Sequence, residues 1–184
     1  MAGPVRNYTG DHAVALAVRR IWEVIVTGPR GSPAFLSEAS RMAHVAAVSQ
    51  AGVPLLGSLW FVFDDNRFWF NSHPTSPLVA ATGRDVDLAV LVDQFDPPDL
   101  IRQVRVRGPG RVEIHDPARV QQIHERYLGS DVSRWPDFFR ERINDDTWTL
   151  WSVSPHRGVA TMYPDFREES TRWECFAESP FASP

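Results

Sequence analysis

The sequence predicts a mainly β protein, an antiparallel barrel of about six to seven strands with three or four flanking helices. Between residues 41 and 111 apolar and polar residues mostly alternate in several segments, the pattern of half-buried strands. Most connections between the early segments are short, and short connections join antiparallel neighbours. Helical patterns are only interspersed among the strands, so an antiparallel barrel is favoured over a doubly wound parallel sheet.

The first half of the chain predicts three helical segments and five strands. Asp11 can cap a helix that runs to about Val26, because apolar residues recur there at helical spacing. A short turn of helix is expected near residues 34–40. Turn residues separate the early strands, and a short helix at 76–83 precedes the fourth. The strands are predicted at residues 42–49, 55–63, 67–71, 88–93 and 102–115.

The second half begins with the clearest helix of the chain. Asp116 can cap it, Pro117 suits its first position, and Gly129 follows its end. Another helix is expected at about 134–143, and strands at 148–154 and 158–163 complete the barrel.

Three segments are predicted along the chain: an N-terminal helical extension (1–31), a barrel domain (32–163) and a C-terminal tail (164–184). The tail contains four aromatic residues, too many for a typical free tail. We expect it to pack on its own barrel or on a partner subunit.

Composition excludes several function classes. The net charge is −4, which disfavours a nucleic-acid surface. No apolar run approaches the ~20 residues that cross a bilayer, and the N-terminus has no apolar segment of a secretory signal. The single cysteine, Cys175, fits a reducing cytoplasm, where we expect the protein to reside. The histidines show no metal-ligand spacing, and no Ser-His-Asp order or phosphate-binding loop is present.

The order of strands and turns carries a family resemblance. Residues 41–93 read RMAHVAAVSQAGVPLLGSLWFVFDDNRFWFNSHPTSPLVAATGRDVDLAVLVD, and residues 102–116 read RQVRVRGPGRVEIHD. With the Ser/Thr/Pro corner at 71–79, this arrangement resembles the flavin-binding split barrel of the pyridoxamine 5'-phosphate oxidase-like family over about residues 32–163. The resemblance implies a homodimer that holds FMN, or its deazaflavin analogue, in a groove between subunits.

The resemblance also implies which residues contact the cofactor. Positions beside the flavin ring are Gly57, Ser58, Leu59, Trp60, Asn71 and Ser72, and Trp151 lies near the groove. The corner that holds the phosphate corresponds to Thr75, Ser76, Leu78 and Val79.

Basic residues are missing from this corner. Family members usually have a basic residue and a lysine where this chain has Pro77 and Leu78, and the chain contains nineteen arginines and no lysine. Binding of the cofactor phosphate would therefore depend on arginines outside this corner, and the candidates are Arg84, Arg105 and Arg107.

Two functions follow as hypotheses. The first is a flavin-type oxidoreductase that transfers a hydride to or from a small planar substrate, with catalytic residues that the sequence does not identify and with no metal. The alternative is a flavin-free split barrel that binds another ligand or a partner, its groove filled by Trp60, Leu78 or the aromatic tail.

Overall fold

The computed structural model divides the chain into two compact units, Met1–Ser37 and Glu38–Pro184. Of the first unit only residues 35–37 are described, and they form a turn, so the predicted helix from Asp11 lies outside the described residues. Most of the second unit is described, and it holds the sheet. The described residues are 35–37, 40–96, 100–163 and 171–174.

The described residues form nine strands and three α-helices. The strands are β1 (Ala43–Val48), β2 (Pro54–Leu59), β3 (Val62–Asp64), β4 (Arg67–Ser72), β5 (Asp87–Asp96), β6 (Leu100–Val112), β7 (Thr149–Val153), β8 (Arg157–Tyr163) and β9 (Thr171–Glu174). The helices are α1 (Pro77–Ala81), α2 (Pro117–Leu128) and α3 (Asp137–Arg142), with a 3₁₀ turn at Val132–Arg134. None of these described helices has the length and apolar character needed to span a membrane.

The strands form an open antiparallel barrel, as the sequence predicts. The order is β2-β1-β5-β6-β7-β4-β3, with β8 also on β6 and β9 on β8. The long strand β6 divides the sheet, because residues 101–107 pair with β8 whereas residues 110–112 pair with β7. Every pair is antiparallel, and the path is not closed.

One predicted strand is divided in the structure. The segment predicted at 55–63 forms β2 and β3, separated at Trp60 and Phe61. The amide of Phe61 donates to the hydroxyl of Tyr127 at 3.0 Å, and the ring of Trp60 stacks on that of Tyr127 at 4.6 Å. The hydroxyl of Tyr127, from α2, thus takes the place of a strand partner at Phe61. The division of this strand and the presence of β9 in the tail together raise the number of strands from the predicted seven to nine.

One cluster of the core lies between the sheet and α2. The carboxylate of Asp116 accepts from two amides at the start of α2, and Gly129 ends the helix at φ 84°, as predicted. Val120 and Ile123 of α2 are buried against β3 and β7. This packing places α2 against β3 and β4.

Candidate functional site

One face of the sheet carries two rows of side chains that cross five strands. We call it the outer face, since the buried Val45, Val90 and Val106 point to the opposite side. Residues paired across strands stand side by side on one face, so the register defines the rows. The first row contains Ser58, His44, Leu91, Arg105 and Val159. The second contains Leu56, Ala46, Ala89, Arg107 and Arg157.

A trough of about 580 Å³ lies along these rows. Ala46 and Ala89 occupy the middle of the second row, where larger side chains would fill the space. Arg105 and Arg107 of β6 are exposed in the trough, next to Arg157 of β8, and neither Arg105 nor Arg107 forms an ion pair with another described residue. The trough therefore combines an apolar floor with two available positive charges.

A second, smaller cavity of about 220 Å³ lies beside β2 and β4, under α2 and α3. We call it the aromatic pocket. The residues predicted to contact a cofactor that line it are Ser58, Leu59, Trp60 and Asn71. The aromatic side chains added by the later part of the chain are Phe138, Phe139 and Trp148.

Aromatic stacking holds the wall of this pocket. The ring of Trp60 stacks on Tyr127 and also on Phe139, at 5.0 Å from the latter. The guanidinium of Arg142 lies 4.8 Å from the ring centres of both Phe138 and Trp148. These contacts give the pocket planar apolar walls and one cation.

The trough and the aromatic pocket meet at one hydrogen bond. His44 lines the trough, Ser58 lines the pocket, and His44 Nδ1 lies 2.9 Å from Ser58 Oγ. Ser58 and Arg105 are three strand spacings apart in one row, about 14 Å between backbones. A flat molecule with a charged end can extend over such a distance.

No protein-family model matches this sequence, and no curated protein matches it at a significant level. Solved structures do match. The General Stress Protein 26 from Bacillus anthracis has a TM-score of 0.55 at 16% identity, covering 84% of this chain and 99% of its own. The chain has the pyridoxamine 5'-phosphate oxidase-like split-barrel fold.

Two further solved structures are similar in fold. The conserved hypothetical protein Rv2991 from Mycobacterium tuberculosis has a TM-score of 0.54 at 20% identity, covering 68% of this chain and 79% of its own. HutZ, the heme storage protein from Vibrio cholerae, has a TM-score of 0.53 at 10% identity, covering 70% and 88%. At such identities the likeness establishes the fold only, and the ligand has to be inferred from the residues of the site.

Several predicted cofactor residues lie inside the split barrel. Leu78 is 6% exposed, and a Cβ on Gly57 would lie 2.9 Å from its Cδ1, so these two residues pack against each other. Val79 is buried on the same short helix. The indole of Trp151 donates to Ser72 Oγ at 3.0 Å in the interior. These five residues face neither the trough nor the aromatic pocket.

The corner between β4 and α1 is held by local hydrogen bonds. The hydroxyl of Thr75 lies 2.7 Å from His73 Nδ1, and the amide of Ser76 donates to the carbonyl of His73. The His73 ring packs edge-on against Trp148 at 5.7 Å, which places the corner beside the aromatic pocket. Thr75 is exposed, and Ser76 begins a helix of only five residues.

The three predicted arginines do not converge. Arg105 and Arg107 lie together in the trough, whereas Arg84 lines a separate cleft of about 430 Å³ with Arg67 and Arg111. One Arg84 nitrogen donates to the carbonyl of Val48 at 2.6 Å.

Burial shifts the pKa of two groups near the pocket in the direction that favours their neutral forms. Burial lowers the pKa of His124, against the opposing effect of a hydrogen bond with the Phe139 backbone. Burial raises the pKa of Tyr127, whose hydroxyl donates to the carbonyl of Arg41 at 2.7 Å. The amide Nδ2 of Asn71 is buried with no protein acceptor, an arrangement that usually indicates a water or ligand.

Sequence reasoning missed His44, Arg157, His124 and Arg142. A signal existed for His44, because a hairpin centred on Ala51 pairs residue 44 with residue 58. Arg157, His124 and Arg142 join the site only through packing of distant segments, which no local pattern reveals.

Proposed function

We propose that this split barrel is a flavin-type oxidoreductase that holds FMN or a deazaflavin analogue across the trough and the aromatic pocket and acts on a small planar substrate. The observation that carries the proposal is the pair of exposed arginines, Arg105 and Arg107, beside the apolar floor of the trough. Hydride transfer is supplied by such a cofactor when it is bound, and the protein contributes orientation and electrostatics.

The phosphate end is assigned to the trough. A phosphate carries about −1.5 to −2 charges and is best held by charge-assisted hydrogen bonds. The chain has no lysine, and the family's basic corner positions hold Pro77 and Leu78. Arg105 and Arg107 supply the missing charge on neighbouring outward positions of β6.

The ring end is assigned to the aromatic pocket. Ser58 and Asn71 offer hydrogen-bonding groups there, and the buried Asn71 Nδ2 lacks an acceptor that a ring carbonyl can provide. Trp60 and Trp148 provide flat surfaces for a planar ring. The donors present thus fit the two ends of a flavin mononucleotide.

A second copy of the chain is proposed to complete the groove. Leu56 is 78% exposed beside the trough, and Val48 and Val53 of the same hairpin are about half exposed. Exposed apolar side chains next to a binding cleft suit a subunit interface. Light scattering at micromolar concentration should give twice the 20.8 kDa chain mass, and a monomer would contradict the shared groove.

The flavin-free alternative has one observation in its favour. Trp60 already stacks on Tyr127 and Phe139, so the side chain at a ring-facing position is engaged within the protein. On this account the trough binds a different anionic planar ligand, or a partner, without redox chemistry.

Titration of the purified protein separates the two functions. FMN, riboflavin, a deazaflavin and hemin are added in turn while flavin fluorescence or hemin absorbance is recorded. We expect FMN or the deazaflavin to bind more tightly than riboflavin by at least about tenfold, because the phosphate adds charge-assisted contacts. Binding of hemin alone, or of none of these at hundred-micromolar concentration, contradicts the flavin assignment.

A further inference from the structure

Three polar side chains on neighbouring strands form a chain at the junction of the trough and the aromatic pocket. Ser58 lies on β2, His44 on β1 and Asp93 on β5. His44 Nδ1 is 2.9 Å from Ser58 Oγ, and His44 Nε2 is 3.7 Å from Asp93 Oδ1. Serine, histidine and aspartate therefore follow one another in space although they do not follow a recognisable order in the sequence.

The sheet register keeps these side chains together. His44 is paired directly with Ser58 on one side and with Leu91 on the other. Asp93 lies two residues beyond Leu91, so it points to the same outer face. The side chains of His44 and Asp93 are 39% and 34% exposed, and Ser58 is exposed, so a ligand can reach all three.

The order of the three groups has a chemical consequence. A serine hydroxyl by itself is a weak acid and a weak nucleophile, and an adjacent imidazole activates it by accepting its proton. A carboxylate beside Nε2 favours the tautomer that carries its proton on Nε2, which leaves Nδ1 free to accept the serine proton. The same carboxylate stabilises the imidazolium that forms. The 3.7 Å separation is an ion-pair distance, and such contacts often tighten when a ligand binds.

We infer that Ser58, His44 and Asp93 form the proton relay of this site, with Ser58 as the group that exchanges a proton with the substrate. The inference rests on the proposed function, because reduction of a polarised double bond consumes a proton together with a hydride. Ser58 lies at the edge of the pocket assigned to the flavin ring, where a planar substrate would have to lie to exchange a hydride with that ring, and His44 lines the trough.

The proton transfers balance in both directions. In reduction, Ser58 gives its hydroxyl proton to the substrate heteroatom while protonated His44 passes a proton from Nδ1 to Ser58 Oγ. His44 is left neutral and regains a proton from solvent. In oxidation, Ser58 takes the proton from the substrate and transfers its own to His44, and Asp93 stabilises the imidazolium that results. Asp93 is thus a positioning residue, since it acts through His44.

The chain contains a matched serine that lacks the histidine. Ser133 is exposed and hydrogen-bonded to a carboxylate, Asp131, at 2.6 Å. It has the same hydroxyl and a neighbouring aspartate, so any excess reactivity of Ser58 reports on His44.

Phosphonylation of the protein without added cofactor tests the relay. A fluorophosphonate probe transfers its phosphonyl group to an activated serine oxygen, fluoride leaves, and the hydroxyl proton passes to the base. Peptide mass spectrometry should show Ser58 labelled at least about tenfold faster than Ser133, since a positioned base contributes about 10²–10⁴-fold in rate. His44→Gln should reduce Ser58 labelling to the Ser133 rate. Asp93→Asn should give an intermediate rate that Asp93→Glu restores, with folding of each variant verified by circular dichroism.

The outcomes separate this inference from the proposed function. Equal labelling of Ser58 and Ser133 in the wild-type protein overturns the relay, whether or not a flavin binds. Rapid labelling of Ser58 that persists in folded His44→Gln also overturns it. Rapid, His44-dependent labelling without flavin binding supports the activation of Ser58 and contradicts the proposed oxidoreductase function.

Discussion

The inner and outer faces of the same strands differ in how much space they leave. On the inner face, a Cβ on Gly108 would lie 1.8 Å from the carbonyl oxygen of Ser154, and one on Gly110 would lie 2.7 Å from a methyl of Leu88. On the outer face, Ala46 and Ala89 leave a trough of about 580 Å³. Small residues therefore serve close packing on one face and an open cavity on the other.

This difference separates the constraints of the fold from those of the site. Consecutive residues such as Val104 and Arg105 belong to different faces, and Val104 is 3% exposed while Arg105 is exposed. Inner-face substitutions should change the free energy of unfolding, whereas outer-face substitutions should change ligand binding at nearly constant stability.

Gly108→Ala should produce the largest effect. The added methyl group meets backbone atoms of Ser154 and Pro155, which cannot move aside as a flexible side chain can. Overpacking typically costs about 1–3 kcal/mol, and we expect this substitution to reach or exceed the upper value. Thermal unfolding followed by circular dichroism measures the loss. A melting temperature equal to that of the wild type would contradict the close packing at this position.

Enlarging two adjacent alanines of β1 should give opposite results. Ala47 is 8% exposed on the inner face, so Ala47→Leu should cost about 1–3 kcal/mol. Ala46 lines the trough, so Ala46→Leu should change stability by no more than about 0.5 kcal/mol while it fills the cavity and weakens FMN binding. Urea unfolding and FMN titration of both variants check the contrast, and similar losses of stability in both would refute it.

The pH dependence of stability should report on His124. Burial lowers the pKa of this residue below its usual 6.5 in the folded state, so the unfolded chain binds a proton more readily. The free energy of unfolding should therefore fall as the pH drops below about 6.5, by at most about 1.4 kcal/mol per pH unit from this group.

Urea unfolding of His124→Gln between pH 7 and pH 5 isolates this contribution, since the variant should lose less stability than the wild type over that range. The exposed His73, changed to Gln, controls for loss of an imidazole. Parallel curves for wild type and His124→Gln would show that His124 does not resist protonation in the folded protein.

Local patterns were sufficient for most of the fold. Alternation placed Arg105 and Arg107 opposite the valines of β6, and the cap at Asp116 and the stop at Gly129 were correctly predicted. The break between β2 and β3 was not predictable, because it depends on the hydroxyl of Tyr127 from a helix far along the chain.

The candidate site was less accessible to sequence reasoning. The face of α1 that is buried depends on packing, so the contact of Leu78 with Gly57 could not be inferred from the corner motif. The chain of Ser58, His44 and Asp93 needs the register of three strands at once. Whether the predicted contact residues bind a flavin stays a prediction that binding measurements decide.

The most direct test of the central claim compares arginines on one strand. Arg105→Ala/Arg107→Ala removes two of the three arginines that line the trough, and Arg111→Ala removes an exposed arginine of β6 that does not line it. Calorimetric titration should show that the double variant raises the FMN dissociation constant by at least about tenfold, leaves riboflavin binding unchanged, and differs from Arg111→Ala, which binds both as the wild type does. Equal FMN affinity in the wild type and the double variant would contradict the assignment of the phosphate to the trough.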